Sequence, residues 1–193
     1  MDTTGSPSWS VTVERRPLLA CCALWIRAAE GLVTPADPLI PAALDAEVPS
    51  APGPNADELA IEWVRWWRSI VGPPSQTAAG PAEPAHATID PLGLAGLPAL
   101  AQVALRRGPV AVAWHASGGP EDQQPVDVGD LVDRVESALG RPAAMFDLHL
   151  TLLPVREDAV REVVTGRRYL VPERFYRSPR FAGWLSGLVE RLA

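Results

Sequence analysis

The chain has 193 residues, with 47% hydrophobic and 21% charged side chains, an ordinary globular balance that excludes wholesale disorder and allows one sizeable core. Its net charge of −6 argues against a general polyanion-binding protein, and its two cysteines, Cys21 and Cys22, are adjacent, which excludes a disulfide framework. All 17 basic residues are arginine and prolines number 21, a composition that points to a GC-rich bacterial source and, with the cysteine usage, to a cytoplasmic protein.

Residues 1–8 are small and polar and read as a frayed end. Residues 9–14 alternate β-formers and predict a short strand. Residues 18–30 predict a buried helix that Gly31 terminates. Its apolar run ends at Arg27 after nine residues, too short for a membrane span, and Pro17 stands too close to Cys21 for an export signal. Six prolines within residues 34–56 forbid a long helix and predict an extended connection. Residues 55–71 carry the clearest helical pattern, opened by Asn55 and Glu58 at capping-box spacing. One arc holds Leu59, Ala60, Trp63, Val64, Trp66, Trp67, Ile70 and Val71. The other holds Glu58, Glu62, Arg65, Arg68 and Ser69, with Ile61 as the intruder.

Residues 72–91, rich in Pro, Ala and Gly, predict a flexible loop containing His86. Beyond it the pattern predicts a helix at 97–107, a buried strand at 109–116 (PVAVAWHA) and a helix at 130–139 stopped by Gly140. A strand at 144–153, a short helix at 156–164, a strand at 167–171 and a final helix at 179–192 follow, the last capped by Ser178. This alternation predicts an α/β (or α+β) fold in one globular domain, residues 1–193. Its sheet has three to four strands, mostly C-terminal, covered by about five to six helices, with a βαβ unit over 109–153.

His115 ends the strand predicted at 109–116 and precedes Ser117-Gly118-Gly119-Pro120, the end of a strand at which α/β folds bind ligands. The same residues also make an ordinary strand exit and match neither a P-loop nor a dinucleotide fingerprint. Asp147 and His149, two apart, share a strand face with Thr151, opposite Phe146, Leu148, Leu150 and Leu152. The pair suits an oriented general base, or two metal ligands without a recognisable third. The plainer and favoured reading is the solvated face of a one-sided sheet. The sequence contains no G-x-S-x-G, H-E-x-x-H or C-x-x-C, and nothing in it calls for a cofactor or metal.

Residues 161–180 carry six arginines against Glu162 and Glu173, a local charge of +4 that leaves −10 elsewhere. Arg168, Arg174 and Arg177 alternate there with Tyr169, Phe175 and Tyr176, a mixture that can grip phosphates and stack bases. The acidic total instead favours pairing with the chain's own acids, such as the run 121–136, or with an acidic protein partner. Three of the seven tryptophans lie on the 55–71 helix and read as core, with Trp66 at the arc's edge beside Arg65 as a candidate interface rim. The first functional expectation is therefore a non-catalytic protein–protein interaction module using Arg65, Trp66, Arg168, Arg174, Phe175, Tyr176 and Arg177, with no membrane or nucleic-acid role. The second is a small α/β hydrolase- or transferase-like enzyme built from His115, Ser117, Asp147 and His149.

Overall fold

A computed structural model describes residues 9–53, 55–72, 92–118 and 127–192, so residues 1–8, most of the 72–91 loop with His86, and the acids at 121 and 122 lie outside the described residues. Over the described residues the chain is mixed α/β, with a four-stranded mixed sheet, three of its strands in the C-terminal half, and six helices. It divides into two compact units, residues 18–118, and residues 1–17 with 119–193.

The first unit is helical. Helices α1 (Leu18–Ala29), α2 (Ala56–Val71) and α3 (Pro98–Ser117) each pack against the other two. Helix α1 is buried almost all round, Cys21 and Cys22 included, as a sequence apolar but for Arg27 favours. It ends where Gly31 takes φ +61°, letting the Gly31 and Leu32 N–H groups donate to the Ala28 and Arg27 carbonyls. Helix α2 buries Leu59, Ala60, Trp63, Trp66, Trp67 and Val71 and exposes Ile61, following its sequence arcs. Each of its indoles donates to a carbonyl: Trp63 to Ala23 at 2.7 Å, Trp66 to Leu92 at 2.6 Å and Trp67 to Leu39 at 2.8 Å. These bonds replace the water that burial removes.

Three sequence expectations change here. Asn55 makes no side-chain capping bond. Glu62, placed on the polar arc, is buried, and its Oε2 accepts the Leu100 N–H at 2.7 Å, capping α3 from a neighbouring helix. The strand predicted at 109–116 is the second half of α3, so the βαβ unit over 109–153 does not form. Once residues 98–107 are helical, each further residue adds a hydrogen bond without a new nucleus, and Ala111, Ala113 and Ala116 favour helix over the β-branched Val110 and Val112. Pro109 lacks the N–H that would bond the Leu105 carbonyl, but both residues are exposed, so that carbonyl is not sealed from water.

The proline-rich connection is irregular and firmly held. Arg27 is buried beside the Trp63 ring, 5.2 Å from its centroid, and donates to the Pro41 and Ala42 carbonyls. The Ala51 N–H donates to Ala29 at 2.8 Å, Arg68 pairs with Asp37, and Ile40 and Leu44 are buried.

The second unit holds the sheet. Strand β1 (Ser10–Arg15) runs parallel to β2 (Asp147–Leu153), and β2 parallel to β4 (Arg168–Pro172). Strand β3 (Arg161–Val164) pairs antiparallel with β4, giving the order β1-β2-β4-β3. Helices α4 (Val128–Leu139), the short α5 (Glu173–Tyr176) and α6 (Pro179–Leu192) complete it. Leu148, Leu150, Leu152, Tyr169 and Val171 share a core with Val132 of α4 and Phe181, Leu185 and Val189 of α6. Helix α4 is capped by the Asp127 side chain and stops at Gly140, φ +66°. The Ser178 hydroxyl donates back to the Phe175 carbonyl at 2.7 Å.

The helix predicted at 156–164 is instead an irregular stretch leading into β3. Val163 and Val164 suit a pleated strand, and Gly166 at φ +68° turns the chain back into β4. Across this hairpin Glu162 Oε1 accepts both the Gly166 N–H and the Tyr169 hydroxyl at 2.8 Å. The Gly166 and Tyr169 bonds hold the Glu162 carboxyl below its ordinary value. Burial, reinforced by the bond to Glu162, pushes the Tyr169 hydroxyl up to about 12. Among the described residues no helix is long and apolar enough to cross a membrane.

Candidate functional site

The sheet register builds a polar face from two strands. Ser10 stands opposite Asp147, Thr12 opposite His149 and Glu14 opposite Thr151, while Arg168 of β4 stands opposite His149 from the other side. The Ser10 hydroxyl donates to Asp147 Oδ1. His149 Nε2 lies 3.2 Å from Glu14 Oε2. Asp147 is exposed, His149 half-buried and Thr151 buried. The carboxylate that can orient this imidazole is thus Glu14, with Asp147 tied to Ser10. Such a pair can hold a proton or relay one, the chemistry of a general base. The sequence reading missed Ser10 and Glu14, because only the pairing of β1 with β2 brings them to this face.

His115 and Ser117 sit in the last turn of α3, in the helical unit, whereas Asp147 and His149 belong to the sheet unit. Neither unit assembles the four residues. The Ser117 hydroxyl donates to the Trp114 carbonyl at 2.8 Å, a local bond common for serine in a helix. Gly119 and Pro120 lie outside the described residues. Among the described residues no group of three or more His, Cys, Asp or Glu could hold a metal ion.

The arginine strip is engaged with the chain's own acids. Asp158 takes both Arg174, at 3.0 Å, and Arg180, while Glu173 faces Arg177 at 3.6 Å and Arg16 at 3.9 Å. Phe175 and Tyr176 are buried, and Phe181 packs against both, so these rings are not presented for stacking. Arg168 is half-buried on the polar sheet face. Arg65 is exposed, but Trp66 beside it is 2% exposed and packs inside.

A concavity of about 300 Å³ lies in the helical unit. Glu30, Gly53, Leu59, Gln102, Val103 and Arg106 are among its lining residues. Glu30 went unnoticed in the sequence. Its signal there is an acid closing an otherwise apolar helix immediately before the terminating Gly31. Comparison of the chain with protein-family models, with curated proteins and with solved structures finds no match.

Proposed function

We propose that this chain is a non-catalytic protein–protein interaction module, an accessory, adaptor, immunity or assembly component of the bacterial cytoplasm. The observation that carries the reading is helix α3. Of its 20 residues only Leu100, Val103 and Ala111 are buried, although most of the rest are apolar. Leu105, Val110 and Val112 are 74%, 53% and 46% exposed. Leu105, Pro109, Val112 and Ala116 are all exposed and follow one another at steps of four, three and four, the spacing of a seam between two helices. Exposed apolar stripes of this kind mark interaction sites, and the spacing suits a partner that contributes an amphipathic helix. The lysine-free, alanine-rich composition supports the bacterial assignment.

The test is a Leu105→Glu/Val112→Glu double variant. Both side chains are exposed, so folding stability should change by no more than about 0.5 kcal/mol per site. A stoichiometric partner cross-linked to position 116, exposed on the same stripe, in the native host should be lost from the double variant. A partner retained at full affinity would sink the reading.

The enzyme reading, a small hydrolase- or transferase-like protein using His115, Asp147 and His149, is supported only by the His149–Glu14 pair. It requires a turnover that His149→Gln and Glu14→Gln each abolish while the melting temperature holds.

A further inference from the structure

Arg27, Glu30 and Glu62 are buried charged residues of the helical unit. Arg27 is held by two carbonyls and the Trp63 ring, and Glu62 by the Leu100 N–H. Glu30 is different. It directly follows Ala29, the last residue of α1, where unpaired helix carbonyls carry partial negative charge, so the helix itself opposes a carboxylate there. Its side chain is 2% exposed, and Oε1 accepts a single bond from Arg107 Nε at 2.8 Å. The guanidinium does not close its fork on the carboxylate, because Nη2 turns to the Ala51 carbonyl at 3.4 Å. Oε2 lies beside Gly53, where an added Cβ would stand 3.4 Å away. Among the described residues no further donor bonds this carboxylate. Oε2 is not sealed from solvent, so it is a carboxylate oxygen that a donor entering from outside can reach. Glu30 lines the 300 Å³ cleft.

We propose that the cleft is a binding site for a small aliphatic amine, whose ammonium group donates to Glu30 Oε2 while its hydrocarbon body lies against Leu59 and Val103. The volume stands at the lower end of the range for small-molecule sites and admits a body of a few carbons. Leu59 and Val103 are buried and apolar, whereas Gln102 and Arg106 are exposed, which makes the mouth polar and the interior greasy. The Arg106 charge is in water and screened, so it does not bar a cation from the buried carboxylate. The site does not depend on the partner surface proposed for α3.

The experiment titrates the full chain with isopentylamine and, separately, with 3-methylbutanoate, following backbone amide resonances by NMR. The amine should shift Gly53, Leu59, Gln102 and Val103 saturably, and the carboxylate should not. Glu30→Gln should weaken the amine roughly tenfold or more, the effect of losing a charge-assisted bond. Gly53→Ala puts a methyl in van der Waals contact with Oε2 without removing charge, so it should weaken the amine in the same direction and decides the matter if Glu30→Gln does not fold. No saturable shift with the amine, an equal response to the carboxylate, or unchanged affinity in a folded variant would overturn the proposal.

Discussion

Replacing Trp63 by alanine tests the packing of the helical unit at its most enclosed point. The ring is 0% exposed, stacks on Trp67 with centroids 5.5 Å apart, and lies beneath the Arg27 guanidinium at 5.2 Å. Its N–H donates to the Ala23 carbonyl on α1. Truncating a buried aromatic of this size costs about 3–5 kcal/mol. The stacked ring contributes about 0.5–1.5 kcal/mol of that, and the hydrogen bond about 1 kcal/mol. Arg27 keeps its two carbonyl acceptors, so its charge is not stranded and the loss should stay within the range. Trp63→Phe keeps a ring under Arg27 and loses chiefly the donor, so it should cost about 1–2 kcal/mol. Urea unfolding followed by far-UV circular dichroism reads both, since helical signal survives the loss of an indole fluorophore. Against a typical domain stability of about 5–15 kcal/mol the alanine variant is severely weakened. A loss under about 1 kcal/mol, or equal losses for alanine and phenylalanine, would refute the reasoning.

Three further outcomes follow from local chemistry. The Tyr169 hydroxyl, raised from 10.0 to about 12, holds its proton more tightly in the folded chain, so the stability it contributes is complete below pH 10 and is lost as the pH rises toward 12. Tyr169→Phe should flatten the fall in melting temperature across that window, and an unchanged slope would count against the raised Tyr169 hydroxyl as the source of that fall. Both cysteines are buried and burial pushes the Cys22 thiol up, so an aromatic disulfide reagent should label neither at neutral pH and both in denaturant. Fast labelling of the folded chain would place α1 outside the core. Reversing Arg174 and Arg177 to Glu breaks exposed pairs with Asp158 and Glu173 and should cost at most about 1 kcal/mol each. The wild-type chain should give no gel shift with single-stranded or duplex nucleic acid at physiological salt. A shift with a steep salt slope that the double reversal abolishes would place nucleic acid first.

Elements whose own residues repeat at one period were legible in the sequence. The arcs of α2, the apolar run of α1 with its terminating Gly31, and the alternation of Leu148, Leu150 and Leu152 each follow from side-chain spacing along one segment. The stop at Gly140 and the start of α6 at Pro179 were legible for the same local reason. Residues 109–116 were not, because a short run of Val and Ala satisfies a strand or a helix equally, and it is the preceding helix that settles the choice. The hairpin at Gly166 was obscured by charged residues whose helical spacing matters less than the pairing of Glu162 with Tyr169 on the next strand.

The functional candidates divide along the same line. Spacing along β2 was enough to put Asp147 and His149 on one face, but their partners, Ser10 and Glu14, come from a strand more than 130 residues away. Likewise Glu62 read as a solvated acid until α3 brought the Leu100 N–H to it, and Glu30 read as a helix end until Gly53 and Arg107 closed around it. Sequence alone determined which faces are apolar, since that depends on the order of side chains within a segment. Only the tertiary structure decided which charges are buried and what satisfies them, because a buried charge is stable or costly according to donors and acceptors that distant segments supply.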